Sequence, residues 1–166
     1  MSDEKQAIAA DVLHDESFMS AADLRNYMAQ RATAEASKLV SAMEKADAAR
    51  AELVKTLSTP IDLTPTKLAE INQNLRSKVR SAAERGETEI MVMRFPNLLC
   101  ADKGRAINNN DSSWPDTLTG RPRQAYELWR DHLKPAGYGL KAMIVDWPNG
   151  MPGDVGFFLA WESKGV

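Results

Sequence analysis

The chain has 166 residues, which is enough for one ordinary domain with an extension but not for two full-sized domains. Hydrophobic residues make up 43% of it and charged residues 27%, close to globular averages, so the composition excludes a chain that is disordered throughout. A formal net charge of −2 gives no reason to expect nucleic acid or an anionic membrane as a partner.

Several absences in the sequence bear on location and chemistry. No apolar run approaches the roughly 20 residues that cross a bilayer, and the stretch from Met1 to Lys5 lacks the basic-then-apolar order of a signal peptide. We therefore expect a cytoplasmic protein that does not enter a membrane. Cys100 is the only cysteine, so the sequence predicts neither an intrachain disulfide nor a CxxC metal site. We expect no cofactor and no metal.

Residues 1–63 are predicted to form a helical arm. A short helix around Val12 precedes a long helix over about residues 20–57, a stretch without glycine or proline in which alanine recurs throughout. Ser20 and Asp23 have the spacing of an N-terminal capping box, and an acidic residue in the first turn suits the helix dipole.

The apolar residues of the long helix recur at spacings of three and four, in an imperfect heptad pattern that is interrupted near Glu35 and by Arg50. The predicted interface residues are Leu24, Met28, Leu39, Met43, Leu53 and Leu57. At 1.5 Å per residue this helix is about 55 Å long, which is more than a small core can cover. We expect the part of it that is left uncovered to meet a second subunit, the short N-terminal segment around Ile8, Val12 and Leu13, or a different protein.

A second helix is predicted to begin at Thr64-Pro65 and to end at Gly86. Its apolar stripe predicts either a helical hairpin with the long helix or packing against a face of the following sheet. The stripe is formed by Leu68, Ile71, Leu75, Val79 and Ala82.

The same helix carries Arg76, Arg80 and Arg85, which a nucleic-acid-binding protein would place on one basic face. No known nucleic-acid-binding motif accompanies these residues. We therefore favour a solvated helix face and keep nucleic-acid binding as an alternative.

Residues 64–166 are predicted to form a small α+β domain, because nine of the eleven aromatic residues follow Gly86. Strands are predicted at 89–95, 140–147 and 155–161, the last two as an antiparallel hairpin, with a helix from Pro122 to about Lys134. The fold class is thus α+β, with a long N-terminal helix and a helical hairpin followed by an antiparallel three-stranded sheet packed on one or two helices.

The order of elements from Ala82-Ala83-Glu84-Arg85-Gly86 through Gly137-Tyr138 to a final strand ending at Trp161 resembles the layout of many small bacterial and phage proteins. The resemblance covers about residues 75–162. It implies an α+β fold and no particular site residues.

The stretch 97–120 is predicted to be mostly loop, and loops of this length in compact domains often carry function. Arginines in and beside it suit a carboxylate or a phosphate, and amides suit further hydrogen bonds. The candidate ligand-binding residues are Arg94, Asp102, Arg105, Asn108 and Trp114. The alternative is that Asp102 and Arg105 form a surface ion pair and that the asparagines cap turns.

Two other reactive groups are given structural roles. Cys100 is predicted to be a buried thiol, because neither His14 nor His132 lies in the context of a catalytic base. His132 shares a predicted helix face with Trp129, which is typical of a core histidine.

The leading interpretation is a non-enzymatic interaction or regulatory protein that associates through its helical arm. A small-ligand-binding or enzymatic domain that uses the 97–120 loop is the first alternative, and nucleic-acid binding through residues 76–85 is the second.

Overall fold

A computed structural model describes residues 19–161, so the short helix predicted around Val12 lies outside the described residues. The chain divides into two compact units, one that ends at Ala49 and one that begins at Arg50. The boundary predicted after residue 63 stays a prediction. Val54 and Leu57, which precede that predicted boundary, pack against the core of the second unit.

Helix α1 spans Ala21–Ser58, so the long helix predicted over residues 20–57 is confirmed. The Ser20 hydroxyl oxygen accepts a hydrogen bond from the Asp23 amide at 3.1 Å, which is half of the predicted capping box. Asp23 also lies in the first turn, where a negative charge complements the helix dipole.

Helix α2 spans Pro65–Glu84. The Thr64 side chain caps it by accepting a hydrogen bond from the Lys67 amide at 3.1 Å, as the sequence predicts. Gly86, with a φ of 80°, ends the helical region in a left-handed conformation that costs a glycine little.

Three strands form one antiparallel sheet in the order β1-β3-β2, in which β1 spans Glu89–Phe95, β2 spans Gly139–Ile144 and β3 spans Val155–Ala160. The strand that comes last in the chain is therefore the central one. The ladder between β1 and β3 has an irregularity between Met91 and Met93, whereas β2 and β3 pair without a shift.

Between β1 and β2 the chain forms short helices and turns. Helix α3 spans Arg105–Asn108 and α4 spans Gly120–Leu128, two residues ahead of the predicted start at Pro122. A π turn over Trp129–Leu133 and a 3-10 turn over Lys134–Ala136 then lead to β2. Further 3-10 turns span Asn97–Leu99, Trp114–Thr117 and Pro148–Gly150.

The core lies on one face of the sheet. Phe157 on β3 is 1% exposed, and its ring meets Phe95 edge to face with centroids 5.0 Å apart. The stretch 97–120 supplies much of the remaining core, because it contributes Leu99, Cys100, Ile107 and Leu118. A segment predicted to be mostly loop is thus largely a structural part of the domain.

The α+β fold class is confirmed, with a helix-rich chain and a small antiparallel sheet after the long helix. Of the two packing arrangements that the sequence leaves open for α2, its apolar stripe faces the sheet. Ile71 and Leu75 line one cavity together with Phe157 and Leu159 of β3. The sheet face that carries Phe158 is less covered, because Met91 and Met143 there are 46% and 42% exposed.

Candidate functional site

Five of the eleven large apolar residues that are exposed in the described part of the chain lie in the N-terminal segment of α1, residues 21–49. Every residue of this segment is exposed except the half-buried Tyr27. Leu24, Met28, Leu39 and Met43 are 39%, 60%, 63% and 58% exposed. These four side chains recur along one side of the helix, and their exposure is unusual for large apolar residues repeated at this spacing.

The other two predicted interface residues lie in the second compact unit. Leu53 is 45% exposed, whereas Leu57 is half-buried against the domain core. The exposed part of the predicted seam therefore lies mainly before residue 50. Arg50, which interrupts the heptad pattern, is an anchoring residue of the second unit.

Arg50 reaches an ionic network at the end of the β2–β3 hairpin. It donates to a carboxylate oxygen of Asp154 at 2.8 Å, and Arg94 donates to the other oxygen of Asp154 at 3.0 Å and to Asp146 at 3.3 Å. Burial opposes the charge of Asp154, but the hydrogen bonds from Arg94 and Arg50 outweigh it and lower the pKa of this carboxyl below its usual value. Arg94, a predicted ligand-binding residue, thus has two intramolecular carboxylate partners.

The remaining predicted ligand-binding residues have separate environments. The Asp102 carboxylate accepts hydrogen bonds from the amides of Gly104 and Ala106, at 2.9 and 2.8 Å, and so holds the start of α3. Within residues 19–161 no ion pair joins it to Arg105, which is exposed, as is Asn108. The surface ion pair considered as an alternative is therefore not formed.

Trp114, the fifth of these residues, is half-buried and packs on the core. Its ring lies 5.6 Å from that of Tyr126 and 5.8 Å from that of Phe157, measured between centroids. Its indole therefore serves the packing of the domain.

Cys100 is a buried thiol, as predicted. It is 2% exposed, and burial, which is the main cause, raises the pKa of its thiol to about 11. The negative charge of Asp102 acts in the same direction, while a hydrogen bond with Thr117 opposes both. Very little thiolate exists at neutral pH in such a site, so Cys100 is not set up as a nucleophile.

The prediction that His132 is a core histidine is wrong, because its side chain is exposed. The prediction assumed an α-helix through Lys134, in which residues 129 and 132 share a face. The chain instead forms a π turn over Trp129–Leu133. A π turn is wider than an α turn, so residue 132 is rotated away from the face of residue 129.

A groove lies between α2 and the segment 125–133, above the sheet. We use "the groove" for two adjoining cavities of about 360 and about 400 Å³, which share Leu75, Leu133 and Leu159 in their walls. Volumes of this size lie within the range of ~300–1,000 Å³ that is typical of small-ligand sites.

The two cavities differ in the character of their walls. The first is mainly apolar, and its lining includes Ile71, Val92, Leu128, Trp129, Leu140 and Phe157. The second is polar on two sides, with Asn72, Arg76 and Arg80 from α2 and His132 and Tyr138 opposite. Apolar and cationic walls thus adjoin within one groove.

Neither a metal-binding cluster nor a membrane-spanning helix is found among residues 19–161. Among residues 19–161, no group of three or more His, Cys, Asp or Glu side chains is arranged to hold a metal ion. None of the described helices is long and apolar enough to span a bilayer.

Comparisons with known proteins leave the family open: no protein-family model matches the chain, and neither curated proteins nor solved structures yield a match. Function is therefore inferred from the residues and their geometry.

Sequence reasoning missed the groove and the role of Arg50. The interruption of the heptad pattern by Arg50 was the available signal, since a charged residue in an apolar seam needs a partner. Arg76 and Arg80 were singled out as a basic face, but nothing in the sequence placed His132 and Tyr138 opposite them.

Proposed function

We propose that this is a non-enzymatic interaction protein that associates with a second copy of itself through the N-terminal segment of α1. The observation that carries the proposal is the exposure of Leu24, Met28, Leu39 and Met43 along one helix. Residues of this kind in a helix are usually covered by another element, and a second helix of the same sequence presents a matching surface.

The size pattern along the segment supports pairing with a helix. Between Met28 and Leu39, the positions that continue the spacing are Ala32 and Ala36. Small residues let two helices approach closely, while the larger side chains on either side fill the space between them. The segment is about 43 Å long, which corresponds to roughly four heptads.

The charge balance favours a second copy as the partner. Residues 21–49 contain four acidic side chains, Asp23, Glu35, Glu44 and Asp47, and four basic ones, Arg25, Arg31, Lys38 and Lys45. Two such segments side by side carry no net charge and so do not repel each other.

The expected affinity follows from comparing the free energy gained by burying these side chains with the free-energy cost of bringing two chains together. Complete burial of a leucine or methionine contributes about 1.5–3 kcal/mol, and these side chains are already partly covered. Eight of them in a dimer contribute an amount comparable with the ~4–15 kcal/mol cost of association. We therefore expect reversible association that depends on protein concentration.

The test is the mass of the full chain in solution, by sedimentation velocity over a wide concentration range. The wild type is expected to approach twice the 18.4 kDa of one chain as concentration rises. Leu39→Glu with Met43→Glu buries four carboxylates at the contact, so the dissociation constant should rise at least about a hundredfold.

A matched control is Ser37→Glu with Ser41→Glu, which adds the same charge at exposed positions on the opposite side of the helix. This variant should associate like the wild type. Helix content by circular dichroism confirms that both variants retain α1. A wild type that stays monomeric at all concentrations, or equal dissociation of both variants, would refute the proposal.

A further inference from the structure

We propose that the groove between α2 and segment 125–133 is a binding site for an amphipathic carboxylate, a small molecule with one anionic head and an apolar chain. The apolar chain occupies the first cavity, and the carboxylate lies in the second between Arg76, Arg80 and His132. This site is separate from the N-terminal segment of α1, so either proposal can fail without the other.

The sign of the head group follows from the charged walls. Every charged side chain that lines the two cavities is basic, and no Asp or Glu among residues 19–161 lines either one. Among residues 19–161, no ion pair includes Arg76, Lys78 or Arg80. Arg85, nearby on the chain, pairs with Glu87 at 3.2 Å. The groove thus offers positive charge that no described carboxylate balances.

The geometry of the two arginines suits a carboxylate as the head group. Arg76 and Arg80 are four residues apart on α2, so their side chains leave the same face one turn apart. Two guanidinium groups so placed offer paired N–H donors, which match the two oxygens of a carboxylate. His132 and Tyr138 line the opposite wall.

The walls of the first cavity are mainly apolar and so match the apolar chain of the ligand. Leu75, Leu133 and Leu159 are shared by both cavities, so a chain that passes over them runs from the cationic wall into the apolar one. The indole nitrogen of Trp129 already donates to the carbonyl of Tyr138 at 3.0 Å. The Lys134 ammonium lies 5.7 Å from the centroid of the Trp129 ring and the Tyr126 ring packs beside it, so only the remaining surface of the ring lines the first cavity.

The experiment uses the full chain and octanoate as the probe, followed by two-dimensional amide NMR. We expect saturable shifts confined to α2, β3 and residues 125–138. Arg76→Gln with Arg80→Gln should weaken octanoate binding by roughly tenfold or more, because charge-assisted hydrogen bonds are lost. 1-Octanol, which has the same chain without the charge, should bind wild type about as weakly as octanoate binds this variant.

The matched control removes two positive charges elsewhere, with Arg25→Gln and Lys38→Gln, both exposed on α1. It should bind octanoate like the wild type. The proposal is overturned if no saturable shifts occur, if they map outside the groove, if both variants lose affinity equally, or if octanol binds as tightly as octanoate.

One further outcome would assign the groove to another occupant. Residues 1–18 contain five acidic side chains and one lysine together with several apolar residues, so this segment has the same chemistry as the proposed ligand. If octanoate binds only when Asp11, Asp15 and Glu16 are changed to Asn, Asn and Gln, the chain's own acidic segment is the occupant and the small-molecule proposal falls.

Discussion

At the scale of single residues, Asp154 links segments of the chain that are far apart in sequence. Its carboxylate joins Arg50 of α1 to Arg94 of β1, and its side chain is 17% exposed. Its backbone amide donates a hydrogen bond to the Asp146 carboxylate, which also accepts a hydrogen bond from Arg94. One carboxylate thus connects the C-terminal part of α1 with the β2–β3 hairpin and with β1.

We expect Asp154→Asn to lower the free energy of unfolding by about 1–2 kcal/mol at pH 7, because two charge-assisted contacts are weakened in a partly buried site. The folded-state pKa of Asp154 lies below its unfolded value of about 3.9. The unfolded chain therefore binds the proton first as the pH falls, and the stabilisation is lost between about pH 4 and the lower folded-state pKa. Urea unfolding at a series of pH values measures this.

The difference between wild type and Asp154→Asn should therefore narrow below about pH 4. Asp62→Asn serves as the control, because Asp62 is exposed and makes no ion pair among the described residues. It should leave stability nearly unchanged at every pH. An Asp154→Asn effect that is as large at pH 2.5 as at pH 7 would show that the charge of Asp154 is not the cause.

At the scale of elements, β3 determines how the domain is organised. It is the central strand, and its side chains alternate between two different surroundings. Phe157 faces the core, where it meets Phe95 and Trp114. Phe158 faces the other side, where its ring lies 5.5 Å from the Lys141 ammonium and beside the exposed Met91.

These two adjacent phenylalanines give a matched pair of substitutions. Phe157→Ala is expected to lower the free energy of unfolding by about 3–5 kcal/mol, because it removes a buried ring that packs against Phe95 and Trp114. Phe158→Ala should cost less than about 2 kcal/mol, because the ring is only partly buried. Midpoints and slopes of urea unfolding give both values. Equal losses would mean that both faces of the sheet are covered to the same extent.

At the scale of the whole molecule, the two compact units differ in how they are stabilised. Residues 50–161 contain an apolar core around Phe95 and Phe157. The N-terminal segment of α1 buries none of its side chains, so its helical structure rests on alanine content, capping and ion pairs such as Arg31 with Glu35 at 3.5 Å. Most of the stability of a helix in a protein comes from the packing of its apolar face, so a partner would strengthen this one considerably.

Amide hydrogen exchange should therefore depend on concentration in one unit only. We expect protection of the amides in residues 24–46 to increase as the protein concentration rises from low micromolar to hundreds of micromolar. Protection in β3 should stay unchanged, because the core of the second unit does not depend on association. The double variant Leu39→Glu with Met43→Glu should abolish the concentration dependence. Protection of the amides of residues 24–46 that is already high at the lowest concentration would contradict the proposed association.

The sequence by itself determined the elements whose formation depends on local chemistry. Alanine content and the Ser20 cap defined α1, Thr64-Pro65 and Gly86 bounded α2, and β-branched and aromatic residues between turn formers marked the strands. The α+β class followed from these patterns. Each of them is set within a few residues of the chain, where capping and periodicity operate.

Only the tertiary structure decided which surfaces meet. It placed β3 between β1 and β2, brought Arg50 to Asp154 across 104 positions of sequence, and set Arg76 and Arg80 opposite His132. The π turn over Trp129–Leu133 rotates His132 away from the face of Trp129, whose indole nitrogen donates to the Tyr138 carbonyl. Such pairings depend on contacts between distant residues, and an apolar stripe or an arginine has the same local sequence whichever partner it finds.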